Sequence, residues 1–103
     1  MSSSSKNVFR LIDFLYFSGT HCSVCQALKP KLIEAITNSY PDVKIEVIDV
    51  NTFPDIAAQN LVFTVPVALI LVEGKEYYRF ARSFSVSEVL NKLERLKSLY
   101  ESN

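Results

Sequence analysis

The sequence predicts a single α/β domain folded as a layered sandwich of sheet and helices. Its 103 residues are 49% hydrophobic and 21% charged, which suits one compact core and leaves no room for a second domain. Short apolar runs with the period of a strand alternate along the chain with stretches of helical period. No internal repeat or linker-like segment interrupts them, so we expect residues 1–103 to form one domain.

The first half of the chain predicts a strand, a helix and a second strand. Residues 11–17 form a bounded run of aromatic and branched side chains, typical of a buried strand that ends at a Ser-Gly-Thr breaker. From Cys22 onward, apolar residues recur at three- and four-residue steps, which predicts an amphipathic helix ending before Tyr40. Pro30 lies inside this helix and predicts a kink, because proline removes a backbone hydrogen bond and crowds the preceding turn. Alternation of apolar and charged residues over 43–47 predicts the second strand.

The second half predicts a short helix over 54–60, a hairpin and a closing helix. The nearly uninterrupted apolar run over 66–72 is typical of a central strand that is covered on both faces. Glu73-Gly74-Lys75 predicts a hairpin turn into an outer strand over 76–82. The Ser-x-x-Glu sequence at 85–88 is a capping-box pattern, which predicts the start of the last helix. Its apolar stripe, assigned to the core, consists of Val86, Val89, Leu90, Leu93, Leu96 and Tyr100.

Charge and hydropathy exclude several classes of partner. Eleven basic residues balance eleven acidic ones, so no broad electrostatic field would attract nucleic acid or an anionic membrane. No apolar run approaches the length needed to span a bilayer. We expect no nucleic-acid or membrane partner and a cytoplasmic location. Residues 1–7, which include a run of serines, are expected to be a disordered lead.

Cys22 and Cys25 are the two cysteines of the chain. They close too small a loop to constrain the unfolded chain much, which disfavours a purely structural disulfide. A zinc site needs four ligands, and His21, the single histidine, adds at most a third. Gln26 occupies the position where the haem-attachment pattern requires histidine, which excludes haem. The pair is therefore interpreted as chemically active, and neither a metal nor another cofactor is expected.

Three motifs together resemble those of a known family. Cys22-Ser23-Val24-Cys25 lies between a predicted strand and a predicted helix, Pro30 follows the second cysteine by five residues, and Thr64-Val65-Pro66 opens the apolar strand. With this combination the chain resembles the thioredoxin family from about residue 11 to the last helix. The resemblance implies a thioredoxin-like three-layer sandwich with a mixed central sheet flanked by helices. Because few residues precede position 11, we expect a minimal core in which the family's first strand and helix are trimmed or lost.

The resemblance implies a thiol/disulfide oxidoreductase that acts on protein disulfides, with a partner such as a thioredoxin reductase supplying or removing electrons. Cys22 would be the catalytic nucleophile, because the backbone N–H groups and the dipole at a helix N-terminus favour its thiolate. Cys25 would then resolve the mixed disulfide. A cis Pro66 would turn the backbone of Val65 towards the cysteines as a substrate-docking edge. The alternative is a trans proline that merely begins a strand.

Two neighbours of the cysteines are candidate modulators. His21 stands where thioredoxins usually have tryptophan. Its protonated imidazole would favour the Cys22 thiolate or shuttle the proton of Cys25, and the alternative is a solvated loop residue. Tyr16 stands where the family buries an aspartate behind the second cysteine, and Val47 where it keeps the lysine partner of that aspartate. Without that acid/base pair the resolving step is expected to be slower.

Two charged residues also bear on the expected site. Asp49 shares a strand face with Val47 and is retained as a candidate that approaches the cysteines. Arg82 lies near a position where the family usually has glycine beside the substrate groove. A long cation there would alter access or select acidic partners, whereas the alternative is an ordinary charged residue at a strand end.

Three other functions stay open at this point. The loss of the acid/base pair favours a redox-inefficient binding module that keeps the fold as a docking surface. A glutaredoxin-like protein is a second alternative, although the glycine pair of that family is absent and Glu73-Gly74-Lys75 stands instead. Zinc binding across a dimer is the third, and it predicts bound metal in the reduced protein.

Overall fold

The computed structural model describes residues 7–101 and contains a four-stranded sheet with helices packed on both faces. In chain order the elements are a 3-10 helix at Val8–Leu11, β1 at Ile12–Ser18, α1 at Ser23–Ser39, β2 at Lys44–Asp49, α2 at Pro54–Gln59, β3 at Val67–Val72, β4 at Lys75–Ala81 and α3 at Val86–Glu101. The strand order is β2-β1-β3-β4, with β1 and β2 parallel and the other two pairs antiparallel. This mixed sheet confirms the predicted α/β sandwich. None of the helices in the described part of the chain has the length and apolarity that crossing a bilayer requires.

Two hydrophobic clusters, one on each face of the sheet, make the three layers. The first joins the sheet to α1 and α3 through buried Leu32, Ile36, Val89, Leu93 and Leu96. The second joins the sheet to α2 through buried Ala57. Successive side chains of β1 enter opposite clusters, Phe14 and Tyr16 the first and Leu15 and Phe17 the second, because strand side chains alternate between faces. The central strands β1 and β3 are therefore covered on both sides.

Side chains and backbone groups cap both long helices at their start. Cys22 is the N-cap of α1, and its sulfur accepts a hydrogen bond from the backbone of Cys25. At the start of α3, the backbone of Ser85 donates to Glu88 Oε1 over 2.8 Å and the backbone of Glu88 donates to Ser85 Oγ over 3.2 Å. This reciprocal pair confirms the predicted capping box. Pro30 lies within α1, and the kink expected there stays a prediction.

The chain before β1 differs from the prediction. Leu11 belongs to the 3-10 helix and not to the first strand, so the strand prediction was wrong at this end. A four-residue helix is too short to leave a periodic signal in the sequence. The side chain of Asn7 accepts a hydrogen bond from the Phe9 backbone over 3.2 Å and donates one to Asp42 over 2.8 Å. Of the lead expected to be disordered, Asn7 is thus placed by contacts, and the rest lies outside the described residues.

β2 is an edge strand, and its pattern of exposure reflects that position. Val43 and Ile45 pack in the first cluster and Ile48 packs in the second. Val47 shares a face with Ile45 but is 41% exposed, because an edge strand has a neighbour on one side only. The strand also runs two residues further than the predicted 43–47, which brings Asp49 to its end.

Four chain segments meet at one end of the sheet, where β1, β2 and β4 end and β3 begins. Ser18 at the end of β1 pairs with Asp49 at the end of β2. Phe17 pairs with Val67 at the start of β3, and Val67 pairs with Ala81 at the end of β4. The loops that leave β1, β2 and β4 and the loop that enters β3 therefore lie side by side. All the residues singled out from the sequence as candidate site residues are on or next to these loops.

Candidate active site

Cys22 and Cys25 form a disulfide at the N-terminus of α1, with their Cα atoms 5.2 Å apart. Cys22, the N-cap, is partly exposed, whereas Cys25 in the first turn is 0% exposed. The backbone N–H of Cys25 donates to Cys22 Sγ over 3.1 Å. A donor at the positive end of a helix also stabilises negative charge on that sulfur once the disulfide is reduced. The outer sulfur is thus both the accessible one and the one better placed to be a thiolate.

The loop before Cys22 is held by the backbone of Gly19. The carbonyl oxygen of Gly19 accepts hydrogen bonds from the Cys22 backbone and from Gln26 Nε2, both over 3.3 Å. A β-carbon added at Gly19 would lie 3.3 Å from Val65 Cγ2, a tight contact. From the sequence, Gly19 was interpreted only as a strand breaker, and the hydrogen bond from the Gln26 side chain to this loop was missed. A glycine directly after a buried strand signals a close approach to the backbone, and here the side chain of Val65 makes that approach.

Val65 and Pro66 lie directly beside that loop. The Val65–Pro66 peptide bond is cis, Pro66 is buried and Val65 is half-buried. Because β3 begins at Val67, opposite the end of β1, the residues just before it must pass the loop that leads to Cys22. The side chain of Val65 reaches Gly19 so closely that a β-carbon on Gly19 would make a tight contact with it. The structure therefore brings together the predicted cysteine pair and the predicted docking edge.

Tyr16 lies beneath the cysteines. Its side chain is 1% exposed, and its hydroxyl donates to the carbonyl oxygen of Cys25 over 2.9 Å. Burial raises the pKa of Tyr16 to about 12, so the hydroxyl stays protonated at neutral pH. Val47, its partner across the parallel β1–β2 pair, has no ionisable group. Tyr16 is therefore a hydrogen-bond donor that holds the first turn of α1, and the two residues together cannot accept a proton from Cys25.

Asp49 approaches the site but is engaged with the neighbouring loops. Its Oδ1 accepts hydrogen bonds from the backbones of Asn51 and Thr52, over 2.7 and 3.2 Å, and its Oδ2 accepts one from Thr20 Oγ1 over 3.1 Å. The bond from Asn51, followed by those from Thr20 and Thr52, lowers the pKa of this carboxyl. Asn51 Oδ1 in turn accepts from the Thr20 backbone over 2.9 Å. Asp49 is therefore ionised and ties the loop before Cys22 to the loop after β2.

His21 and Arg82 are both exposed at the rim of the site. His21 directly precedes Cys22, and within residues 7–101 no hydrogen bond or ion pair fixes its imidazole. Arg82 follows β4 with a backbone φ of 65°, in the left-handed region that favours glycine. In the part of the chain that the structure describes, His, Cys, Asp and Glu side chains form no group of three that could hold a metal ion.

We expect Tyr16→Phe to lower the free energy of unfolding by about 1 kcal/mol at pH 7, because it removes a buried hydrogen bond. The folded-state pKa of about 12 lies above the usual 10.0, so the hydroxyl's contribution is complete below pH 10.0. It is lost as the pH rises from there towards 12. Urea unfolding of both proteins at pH 7 and above pH 10 measures the difference.

Tyr40→Phe is the matched control, because its hydroxyl makes an exposed hydrogen bond to Glu94 and lies away from the cysteines. It should cost less than Tyr16→Phe. The rate of alkylation of the reduced Cys22 thiol should depend on pH in the same way below pH 9 in wild type and Tyr16→Phe. A step that disappears from this profile in the variant would mean that Tyr16 ionises together with the thiols.

The chain is similar to known proteins over most of its length. A family model described as Thioredoxin matches residues 4–95, a span that includes both cysteines and the Val65–Pro66 loop. The Thioredoxin-like protein YdfQ of Bacillus subtilis (strain 168) is 35% identical over 89 residues, which cover 86% of this chain and 79% of that protein. The solved structure of thioredoxin 1 from Thermosipho africanus TCF52B shares 47% sequence identity and a TM-score of 0.79, over 86% of this chain and 98% of that one. The X-ray structure of Fasciola hepatica thioredoxin shares 25% identity and a TM-score of 0.74, over 88% and 85% of the two chains.

Proposed function

Because this chain belongs to the thioredoxin family, and is in general terms a thiol/disulfide oxidoreductase, we propose that it reduces disulfide bonds of protein substrates. We assign Cys22 as the attacking residue and Cys25 as the resolving residue. The observation that carries this assignment is the unequal exposure of the two sulfurs at the N-terminus of α1. An exposed thiolate can reach a substrate, while a buried one can reach only its neighbour.

In the first step, the Cys22 thiolate attacks one sulfur of the substrate disulfide. A bond forms between Cys22 Sγ and that sulfur as the substrate S–S bond breaks, and the second substrate sulfur leaves as a thiolate. The hydrogen bond from the Cys25 backbone, at 3.1 Å, supports the anionic form of Cys22 before the attack. The effect of this donor is to hold more of the Cys22 thiol ionised near neutral pH.

In the second step, the Cys25 thiol loses its proton and attacks Cys22 Sγ. The bond between Cys22 and the substrate breaks, and the substrate leaves with both sulfurs reduced while the protein keeps the disulfide. Tyr16 is neutral and Asp49 is held by other donors, so the proton passes to solvent or to the departing substrate thiolate. Without a fixed base, deprotonation of Cys25 is slower than it would be beside one.

Val65 supports substrate docking beside the cysteines. It is half-buried, and its segment has not yet entered the β3 ladder, so its backbone is open to pairing with an extended substrate segment. Two exposed apolar side chains lie near the site: Phe63, two residues before Val65, is 79% exposed, and Val24, between the cysteines, is 59% exposed. Apolar surface of this kind next to a reactive sulfur favours a protein segment as substrate over a small polar thiol.

Each cycle leaves the protein oxidised by two electrons, so a reduced dithiol partner such as a thioredoxin reductase must return them. Reducing chemistry of this kind belongs to a compartment that keeps thiols reduced, and we place the protein in the cytoplasm. The second candidate function is a binding module whose disulfide exchanges inefficiently with substrates. It is favoured by one observation, the replacement of a buried acid/base pair by the neutral Tyr16 and Val47.

Reduction of a model protein disulfide with dithiothreitol as electron donor tests the proposal. We expect the protein to accelerate the reaction over dithiothreitol alone, at rates that rise with protein concentration. The matched control is the double variant Cys22→Ser, Cys25→Ser, which keeps the docking surface and removes the thiols. Equal rates for the two preparations would leave the binding module as the function.

A further inference from the structure

A shallow depression of about 290 Å³ lies between the start of α1 and the segment that follows β4. Four apolar side chains and two cations make most of its lining: Val24, Ala27, Leu28, Phe84, Lys31 and Arg82. Within the described part of the chain, no carboxylate lines it. We call it the Arg82 depression. Its apolar floor and cationic rim suit a ligand that is itself both apolar and acidic.

The Arg82 depression adjoins the cysteine pair through Val24, which is one of its lining residues. Val24 lies between the two cysteines in the sequence and is 59% exposed. Cys22 is the N-cap of the helix that supplies one wall. Residues that flank the cysteine of a substrate bound at Cys22 can therefore contact this depression.

Arg82 is an uncompensated cation in an unusual backbone conformation. Its φ of 65° lies in the region where glycine is favoured, yet the residue carries a long charged side chain. Arg79, within β4, is paired with Glu76 over 2.9 Å. Within residues 7–101, neither Arg82 nor Lys31 forms such an ion pair. Two cations thus face the depression without a carboxylate of their own.

The charge on the rim has a local effect only. The chain carries eleven basic and eleven acidic residues, so no net charge adds to the attraction at longer range. Both side chains are exposed, and exposed charge pairs contribute modestly and are screened by salt. The expected consequence is a selectivity among substrates of a few-fold and not an all-or-none requirement.

We infer that the Arg82 depression selects protein disulfides whose flanking residues are acidic, with Arg82 and Lys31 as specificity-determining residues. This inference rests on the proposed reductase function of the adjacent cysteines. The carboxylate of the substrate lies at the cationic rim, and an apolar neighbour packs on Val24 and Phe84. No bond is made or broken there, so the depression acts on binding of the substrate and on its orientation towards Cys22.

Two disulfide peptides that differ only in glutamate or glutamine at the positions flanking one cysteine test the inference. We expect wild type to reduce the glutamate peptide with a kcat/KM about three- to ten-fold higher, mainly through KM, and the preference to shrink as salt is raised from about 50 to about 500 mM. The double variant Arg82→Gln, Lys31→Gln should lose the preference, while Arg82→Lys should keep it. Lys75→Gln is the control, because Lys75 begins β4 at the hairpin turn and therefore lies at the opposite end of that strand from Arg82.

The possible failures are distinguishable. If wild type reduces neither peptide, the proposed reductase function is wrong. If it reduces both with equal kcat/KM, the reductase function stands and the inference about the depression is wrong. A preference that survives in the double variant, or that Lys75→Gln removes, also overturns the inference.

Discussion

Replacing Cys22 with serine is expected to lower the rate of protein-disulfide reduction at least about a thousand-fold, because the covalent step then has no nucleophile. Cys25 cannot substitute for it. Its side chain is 0% exposed, and it lies behind the N-cap position that Cys22 occupies. Measurement of the rate with dithiothreitol as donor, after subtraction of the uncatalysed reaction, gives the size of the loss.

Cys25→Ser is the matched variant, and it should fail in a different way. Its Cys22 thiol remains exposed and able to attack, but no second thiol releases the substrate. We expect one equivalent of substrate to remain attached through Cys22, visible by mass spectrometry as an adduct that excess dithiothreitol removes. Cys22→Ser should give no such adduct.

Two results would contradict these assignments. Turnover by Cys22→Ser close to that of wild type would show that the outer cysteine is not the nucleophile. Release of substrate from Cys25→Ser at the wild-type rate would show that Cys25 does not resolve the mixed disulfide. Circular dichroism of both variants excludes loss of the fold as the cause.

Most elements of the fold could be predicted from periodicity because each has a strong and regular apolar pattern. The apolar run over 66–72 and the Ser-x-x-Glu sequence at 85–88 predicted β3 and the start of α3 almost to the residue. The 3-10 helix at Val8–Leu11 was missed, because its single turn depends on one capping side chain, that of Asn7. Local contacts of this kind leave no repeating signal.

The backbone conformation at the site also could not be predicted from the sequence. Arg82, which follows β4, has a positive φ angle of 65°, although glycine is the usual signal for such a position. An arginine gives no local signal for this conformation. The sequence indicated that Arg82 lies near the site, but not that it shares a depression with Lys31, which is distant in the chain.

The role of Tyr16 illustrates the same limit within the site. Comparison with the family placed it behind the second cysteine and showed which acid was missing. Its actual partner, the Cys25 carbonyl at 2.9 Å, depends on the direction of a buried side chain. The strand pattern could not show what Asp49 contacts, for a similar reason. Its hydrogen bonds to Thr20 and Asn51 form only where the ends of β1 and β2 meet.

Phe17→Ala is expected to lower the free energy of unfolding by about 3 to 5 kcal/mol, which is a large part of the stability of a domain of this size. The ring is 0% exposed and packs in the second cluster, between the sheet and α2. It lies opposite Val67, at the start of β3, so the cavity would form directly under the Val65–Pro66 loop. Urea unfolding followed by far-UV circular dichroism measures the loss.

Phe63→Ala is the matched control, because it makes the same truncation at an exposed ring. Its ring is 79% exposed, so the same truncation should change the free energy of unfolding by no more than about 0.5 kcal/mol. If Phe17→Ala is too unstable to purify, Phe17→Leu keeps most of the volume and should cost less than about 1.5 kcal/mol. Equal losses for the two alanine variants would mean that the second cluster does not hold α2 and the docking loop to the sheet.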